Sequence, residues 1–404
     1  AEGPLPGGRG VPTGDAVWIA DHQCGPIGSF SAAYTPRPGG CSDADYALCP
    51  MCRRLCRHSP SGECPQCILG RGGFGKVFRI RSSDGTEWAV KEPRGSKPLR
   101  LPPKREIWVQ KLNLPFTGWI REFYTDRMTS DWKVVTPLYE GGDLGAHRDL
   151  GRDPEHFRTV AAQVAYALWE LHQHGIIHRD LKPANVMFRD KGGWNLVLID
   201  FGLAKPGCDS QHALRNGCST SVMGTTYYMS PRMLLHKEYG YEVDWWAYGV
   251  MLFQLQAGKF PFGADAERTT AIYQDIKGTP PDFQDLQRTG DDEAGSMDGF
   301  HALLVDLISD KDQKGLRGKR PEMQGPAPED HPILGHDFWL GGRRGETAEE
   351  RKQMLRKFWE DVCVTYAKPT KPGEPAKKCR RSSDSTVHSL YAYGAAGGQS
   401  NCAG

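Results

Sequence analysis

The stretch "IIHRDLKPANVMFRDKGGWNLVLIDFGLA", residues 176–204, places three polar groups around the apolar run "LVLI". Asp180 lies five residues before Asn185, a spacing that suits a loop in which the acid accepts a hydroxyl proton and the amide oxygen binds Mg²⁺. Asp200 follows fifteen residues after Asn185 and offers a second carboxylate to a metal. We therefore expect these three residues to form a magnesium-dependent site that handles phosphate.

A glycine-rich run at residues 70–77 lies upstream and fits the pattern GxGxxGxV. Glycines there let backbone N–H groups approach phosphate oxygens, because no Cβ stands in the way. Such a run is a weak signal by itself, since Gly-rich turns are common. The segment "WAVKE" follows and puts Lys91 on a predicted strand, within reach of phosphates under the loop. A lone strand lysine would otherwise be a solvated surface residue.

The four motifs are the glycine-rich run, the strand lysine, the Asp180–Asn185 loop and the segment at Asp200, and chance does not explain their order. With these motifs, residues 68–340 resemble a eukaryotic-type protein kinase domain of the Ser/Thr class. The match also includes "GTTYYMSP", residues 224–231, and the DxWxxG pattern at residues 244–249. The resemblance implies an α+β, bilobal protein kinase fold, with a small β-rich N-lobe at 68–140 and a larger helical C-lobe at 141–340. ATP would bind between the two lobes.

The resemblance assigns a role to each residue of the catalytic motifs. Asp180 would orient the substrate hydroxyl and accept its proton, while Lys182 would support the γ-phosphate. Asn185 and Asp200 would bind Mg²⁺, and Lys91 would hold the α- and β-phosphates of ATP. The implied reaction transfers phosphate to Ser or Thr hydroxyls of a protein substrate.

The resemblance also implies a nucleotide pocket. Val77, Ala89 and Met187 would sandwich the adenine, Thr136 would occupy the gatekeeper position, and Asp143 would meet the ribose. The remaining nucleotide-binding residues would be Leu69, Gly70, Gly72 and Gly75 of the glycine-rich segment.

Glu106 is the best partner for Lys91, because it is the only acid between Glu92 and Glu122. The alternative is that Glu106 is a surface charge on its helix. Gln110, one turn later, occupies a position where kinases prefer an apolar side chain.

Two features concern regulation and stability. Arg179 resembles the arginine that captures an activation-loop phosphate, and Ser221, with Thr220 beside it, lies where the family is usually phosphorylated. An unmodified polar loop is the alternative. Arg232 stands where the family usually has a glutamate that pairs with a buried arginine, so we expect either a changed partner or a solvent-facing side chain.

A cysteine-rich segment at residues 41–67 precedes the glycine-rich loop. Its two CxxC pairs suit a tetrahedral structural Zn²⁺ site, although redox chemistry and incidental thiols are alternatives. The predicted ligands are Cys49, Cys52, Cys64 and Cys67; Cys41, Cys56 or His58 could substitute for one of them or help to form a second site. Bound zinc would anchor the strand that leads into the glycine-rich loop.

The flanking segments differ from this centre in composition. Residues 1–40 are rich in Gly and Pro and are expected to be a disordered arm, and residues 368–404 a disordered tail. Residues 341–367 contain an amphipathic helix, which would pack on the neighbouring lobe or bind a partner. Because the sequence begins with Ala1, we expect a fragment or a processed form.

Composition limits the class of protein and its partners. The formal net charge of +2 over 404 residues makes nucleic acid an unlikely partner. No run reaches the roughly 18 apolar residues of a membrane span. Local CxxC pairs predict a reducing, intracellular compartment, cytoplasmic or nuclear. Two other functions stay open: a pseudokinase scaffold, which binds without transfer, and an adaptor that acts through the cysteine-rich segment.

Overall fold

The structure is a computed structural model. It describes residues 47–48, 55–56, 67–71, 75–81, 86–93, 104–125, 132–147, 149–206, 220–263, 268–278, 281, 283, 286, 294–309, 327–343 and 345–367.

The first large unit is a five-stranded antiparallel sheet with the strand order β3-β4-β5-β7-β6. A separate short hairpin, β1 (Ala47–Leu48) with β2 (Leu55–Cys56), precedes it in the cysteine-rich segment. The strands of the sheet are β3 (Ile68–Arg71), β4 (Lys76–Arg81), β5 (Glu87–Glu92), β6 (Glu122–Thr125) and β7 (Trp132–Pro137).

Alternation along the strands gives this sheet two apolar faces. Val134 and Val135 are neighbours in β7, both fully buried, and they belong to two different apolar clusters. Val135 packs with Trp88 and Trp119 on one face, whereas Val134 packs with Ile107 of helix α1 (Lys104–Lys111) on the other. The helix that carries Glu106 is therefore held against the sheet by its own apolar residues.

The second unit is mainly helical and is built around two buried helices. Helix α2 starts after Asp153, whose carboxylate accepts hydrogen bonds of 3.0 Å from the backbone N–H groups of Glu155 and His156. Helix α4 ends at Gly258, whose φ of 71° is left-handed. The helices are α2 (Pro154–Gln173), α3 (Pro231–Leu234), α4 (Glu242–Ala257), α5 (Thr269–Gly278), α6 (Ala294–Leu304) and α7 (Ala348–Tyr366).

Two short antiparallel pairs hold the loops of the predicted site between these units. Strand β8 (Ile176–Ile177) pairs with β11 (Lys205–Pro206), and β9 (Val186–Phe188) pairs with β10 (Leu196–Leu198). Residues 178–185 connect β8 to β9, and residues 199–204 connect β10 to β11. Because these strands pair with each other, the loop of Asp180 and the loop of Asp200 lie together.

Helix α7 packs on the helical unit. Its residues Leu355 and Trp359 are buried, and the Trp359 indole donates a hydrogen bond of 2.9 Å to the carbonyl oxygen of Leu334. The helix begins with a capping box between Thr347 and Glu350. Of the two interpretations of this amphipathic segment, the structure favours packing on the neighbouring lobe.

Several sequence predictions fall on residues that are not described. The arm at 1–40, the tail at 368–404 and three of the predicted zinc ligands, Cys49, Cys52 and Cys64, lie outside the described residues. Cys67 is described and is fully buried immediately before β3. Among the described residues, no group of three or more His, Cys, Asp or Glu side chains is arranged to hold a metal ion. Zinc therefore stays a prediction.

The described helices also bear on membrane association. None of them is both long and apolar enough to cross a membrane.

Candidate active site

Lys91 connects the sheet, helix α1 and the loop after β10. It lies in β5 between Val77 of β4 and Val134 of β7. Its ammonium donates to both carboxylate oxygens of Glu106, at 2.9 and 2.7 Å, and to Oδ1 of Asp200 at 3.2 Å. The structure therefore brings together three predicted site residues that are far apart in the sequence.

The charges of this triad oppose the cost of their burial. Burial lowers the pKa of Lys91, but the carboxylates of Glu106 and Asp200 outweigh it and hold that pKa above its usual value. Burial likewise raises the pKa of Asp200, yet the nearby ammonium of Lys91 brings the net shift below the ordinary value. Lys91 is thus kept cationic and Asp200 anionic at neutral pH.

Asp180 is held by donors on both of its carboxylate oxygens. Oδ2 accepts from Lys182 Nζ at 2.8 Å and from Asn185 Nδ2 at 3.1 Å. Oδ1 accepts from the backbone N–H of Thr225 at 2.9 Å and from its hydroxyl at 2.8 Å. Lys182 also donates to the Thr225 hydroxyl at 2.8 Å. The carboxylate therefore has one orientation, which a group that receives a proton requires.

Asp244, near the start of α4, supports the backbone that carries Asp180. Its carboxylate accepts hydrogen bonds of 2.8 Å from the backbone N–H groups of His178 and Arg179, and His172 Nε2 lies 2.9 Å away. Arg179 has a left-handed φ of 70°, a strained conformation for a residue with a side chain. Burial raises the pKa of Asp244, but the hydrogen bonds and the nearby histidines lower it by a larger amount, so that this pKa lies below its ordinary value.

Two residues of this network were not singled out from the sequence. Asp244 opens the DxWxxG pattern and Thr225 belongs to "GTTYYMSP", so the motifs that contain them were recognised. The motifs alone did not show that both side chains contact the 178–180 backbone or the Asp180 carboxylate.

The predicted nucleotide residues that the structure describes lie mainly in the five-stranded sheet, whereas Met187 is in β9 and Asp143 precedes a short helical turn. Gly70 pairs with Val77, Ala89 pairs with Thr136, and an isolated bridge joins Asp143 to Met187. Leu69 is 42% exposed. Gly72 lies outside the described residues. The carboxylate of Asp143 accepts a hydrogen bond of 3.2 Å from the N–H of Ala146, so it caps a short helical turn in this structure.

At Gly75 the backbone lies too close to β5 for any side chain. A Cβ at this position would lie 2.2 Å from the carbonyl oxygen of Glu92, so no larger residue fits without movement of β5. The backbone at Gly75 is therefore packed directly against the strand that carries Lys91.

The oxygen donors of the site fit magnesium better than a softer metal. Asp200 supplies an ionised carboxylate and Asn185 an amide group, and both are hard oxygen donors. Mg²⁺ is usually held by one or two carboxylates together with substrate phosphates, so a complete cage of protein ligands is not required.

One known protein family matches the part of the chain that contains this site. The family described as "Protein kinase domain" matches residues 66–311. The chain belongs to the protein kinase domain family. Its β-sheet unit followed by a helical unit agrees with the predicted bilobal kinase fold, and the cysteine-rich segment precedes the matched residues except for its last two positions.

The similar curated proteins are Ser/Thr kinases. Serine/threonine-protein kinase AtPK2/AtPK19 of Arabidopsis thaliana is 29% identical over 337 residues, which are 77% of this chain and 64% of that protein. Protein kinase C zeta type of Oryctolagus cuniculus is 34% identical over 319 residues, 74% of this chain and 49% of that protein. Ribosomal protein S6 kinase alpha-6 of Homo sapiens is 30% identical over 228 residues, 54% of this chain and 29% of that protein.

The relatives named here are therefore in the Ser/Thr class of protein kinases, which is the class that the sequence motifs predict for this chain. The kinase chain spans less than two thirds of the length of the relatives named here.

In the kinase domain, Ser221 contacts Arg179, the residue beside the predicted catalytic aspartate. Arg179 Nη1 donates to the Ser221 hydroxyl at 3.0 Å, and the Tyr239 hydroxyl donates to the Ser221 carbonyl oxygen at 2.6 Å. Ser221 and Thr220 are both exposed. A phosphate on Ser221 would therefore be next to an arginine whose neighbour accepts the substrate proton in the predicted mechanism.

Of the two expectations for Arg232, a changed partner or a solvent-facing side chain, the structure shows the changed partner. Its side chain is 13% exposed, and Nε donates to the carbonyl oxygen of Glu238 at 2.7 Å and lies 3.8 Å from the carboxylate of Glu242. Glu242 is buried at the start of α4 and also accepts from the N–H of Gly240 at 3.0 Å. The reversed charge has thus acquired an acidic partner within its own neighbourhood.

Proposed function

We propose that this protein transfers the γ-phosphate of Mg-ATP to Ser and Thr hydroxyls of protein substrates. The observation that carries the proposal is the Asp180 carboxylate, fixed by Lys182, Asn185 and Thr225 beside the Lys91–Glu106–Asp200 triad. Mg-ATP supplies the phosphoryl group and the cation that neutralises its charge.

In the proposed mechanism, Asp180 orients the substrate hydroxyl and accepts its proton. Lys182 then offers positive charge to the transferred phosphoryl group. Lys91, whose raised pKa keeps it cationic, holds the α- and β-phosphates, and Glu106 holds Lys91 in place. Asn185 and Asp200 provide oxygen ligands for magnesium.

The proposed nucleotide site uses the residues around the glycine-rich loop. Val77, Ala89 and Met187 enclose the adenine, and Thr136 lies at the gatekeeper position. Asp143 would have to exchange its bond to the Ala146 N–H for the ribose hydroxyls. The glycine-rich loop would contact the nucleotide through Leu69, Gly70, Gly72 and Gly75.

Transfer of labelled γ-phosphate from Mg-ATP to the protein itself and to a generic Ser/Thr substrate tests the proposal. We expect Asp180→Asn to reduce transfer by about 10²–10⁴-fold, because the amide cannot accept the proton. Nucleotide binding, measured by a fluorescent ATP analogue, should persist and shows that the variant is folded. Transfer that is equal in parent and variant would contradict the assignment of Asp180.

Nucleotide binding by the parent without any transfer would instead favour a scaffold, or an enzyme that requires phosphate on Ser221. We propose Ser221, with Thr220 as the neighbouring candidate, as the activating phosphosite, since the Arg179 guanidinium donates to its hydroxyl. A Ser221→Ala variant that keeps full activity would remove this role.

For the cysteine-rich segment we propose a structural Zn²⁺ held by Cys49, Cys52, Cys64 and Cys67. The spacing of the two CxxC pairs supports it, and Cys67 is buried beside β3, which enters the glycine-rich loop. Thiolate ligands require a reducing compartment, so we also propose an intracellular location, cytoplasmic or nuclear. Zinc content by atomic emission should fall in Cys64→Ser/Cys67→Ser. An equal content in parent and variant would remove the zinc site.

A further inference from the structure

A pocket between α3 and α5 is lined by cations and apolar groups and has no role in the mechanism above. Its cavity volume is about 80 Å³. The cations are Arg232, Lys237 and Lys277, and the apolar wall includes Leu235, Tyr273 and Ile276. None of the described residues that line it carries a carboxylate. We call it the cationic pocket.

The three cations of the pocket are held differently. Arg232 is fixed by the Glu238 carbonyl oxygen and by Glu242, so its guanidinium is a rigid part of the wall. Lys237 and Lys277 are exposed at the rim. In the part of the chain that the structure describes, Lys237 has no carboxylate within ion-pair distance. An anion that enters the pocket would therefore meet the Lys237 ammonium, with the charges of Arg232 and Lys277 beside it.

The pocket lies close to the proposed catalytic base along a continuous segment. Thr225 donates to Asp180, and Arg232 is only seven residues further along the chain. Consecutive Cα atoms are about 3.8 Å apart, so the pocket is within roughly 30 Å of Asp180. An extended peptide covers that distance in about nine residues. A substrate bound at Asp180 can therefore reach the pocket.

We propose that the cationic pocket binds an acidic side chain of the protein substrate, within about nine residues of the phosphorylated hydroxyl. This inference rests on the proposed function, since it assumes a peptide acceptor at Asp180. A peptide fits better than a nucleic acid, because the pocket joins cations to an apolar wall of Leu235, Tyr273 and Ile276. The charge of the pocket selects the acidic residue, and its apolar wall accommodates the neighbouring side chain.

Two sets of Ser-containing peptides test the proposal. In one set, pairs of Glu residues are moved from position to position up to nine residues before and after the serine, and in the other set Gln replaces Glu. The ratio of kcat/KM for Glu and Gln peptides is measured for the parent, for Lys237→Glu/Lys277→Glu, and for Lys191→Glu/Lys357→Glu. The last variant makes the same charge change at two exposed lysines that do not line the pocket.

The parent should prefer the Glu peptide by about fivefold at one or more positions, a value typical of two exposed ion pairs. The preference should decrease as salt rises from 50 to 200 mM, because these pairs are screened. It should disappear in Lys237→Glu/Lys277→Glu and persist in Lys191→Glu/Lys357→Glu. Equal ratios for all positions in the parent, or a preference that survives in the pocket variant, would overturn the proposal.

Binding of the same peptides, labelled with fluorescein and followed by anisotropy, separates this inference from the proposed function. Selective binding of Glu peptides without phosphate transfer would support the pocket and reject the transferase. Inorganic phosphate is added as a competitor to distinguish a free anion from a peptide side chain. If phosphate binds the pocket but Glu and Gln peptides bind equally, the site takes free anions and the peptide proposal is wrong.

Discussion

At the scale of single residues, Gln110 is the least expected group near the active site. It lies in α1, one turn after Glu106, and its side chain is 3% exposed. Its amide oxygen has no hydrogen-bond partner among the described residues. A buried acceptor without a partner has lost its hydration without compensation. Gln110 therefore weakens the arrangement in which α1 holds Glu106 against Lys91.

Gln110→Leu should raise the free energy of unfolding by about 1–3 kcal/mol, because it removes an unsatisfied buried amide and keeps the volume similar. Urea unfolding followed by tryptophan fluorescence measures the change. Gln353→Leu, at an exposed position of α7, serves as the control and should change stability by less than about 0.5 kcal/mol. Destabilisation by Gln110→Leu would show that the amide has a partner that matters in solution.

At the scale of elements, Arg232 and Glu242 join α3 to the start of α4. Their groups lie 3.8 Å apart, with side-chain exposures of 13% and 2%. Since Asp244 lies two residues beyond Glu242 and holds the 178–179 backbone, this contact is continuous with the support of the catalytic loop. The charge reversal at Arg232 is therefore accommodated locally instead of leaving two cations together.

Arg232→Met should destabilise the protein by about 3–5 kcal/mol, because it removes the guanidinium that lies 3.8 Å from the buried Glu242 carboxylate. Adding Glu242→Gln to that variant should restore part of the loss, since the buried negative charge is then gone. Thermal unfolding of the parent, both single variants and the double variant forms a double-mutant cycle. Additive effects in this cycle would mean that the two side chains do not interact.

At the scale of the whole molecule, a buried histidine links stability to pH. His331 is fully buried against Trp245 of α4, with its Nδ1 accepting from the N–H groups of Ile333 and Leu334 at 3.2 and 3.4 Å. Burial, with a further contribution from the nearby His172, lowers the pKa of His331 to about 3. The folded protein therefore keeps this ring neutral at a pH where the unfolded chain protonates it.

Because the unfolded chain binds a proton below about pH 6.5 and the folded protein does not, stability should decrease as the pH falls from about 6.5 towards 3. Between pH 7 and pH 5 this residue should remove about 2 kcal/mol of the free energy of unfolding. Urea unfolding at both pH values, compared between the parent and His331→Asn, measures its share. The same pH dependence in both proteins would exclude His331 as its source.

The sequence alone determined the order of the catalytic motifs, the strands around Lys91 and the helix that carries Glu106. It could do so because local periodicity and short motifs depend on neighbouring residues. The pairing of Glu106 with Lys91 could also be predicted, since no other acid occurs between Glu92 and Glu122. Strand β6 was not recognised in advance, because a segment of four residues carries too little periodicity.

Only the tertiary structure decided which distant groups meet. It assigned Glu242 to Arg232, Asp244 to the 178–179 backbone, and Lys237 and Lys277 to one pocket with Tyr273. Each of these contacts joins elements whose separation in the sequence does not determine their distance in space. That distance depends on how α2 and α4 pack in the common core, which is a property of the whole chain and not of any one motif.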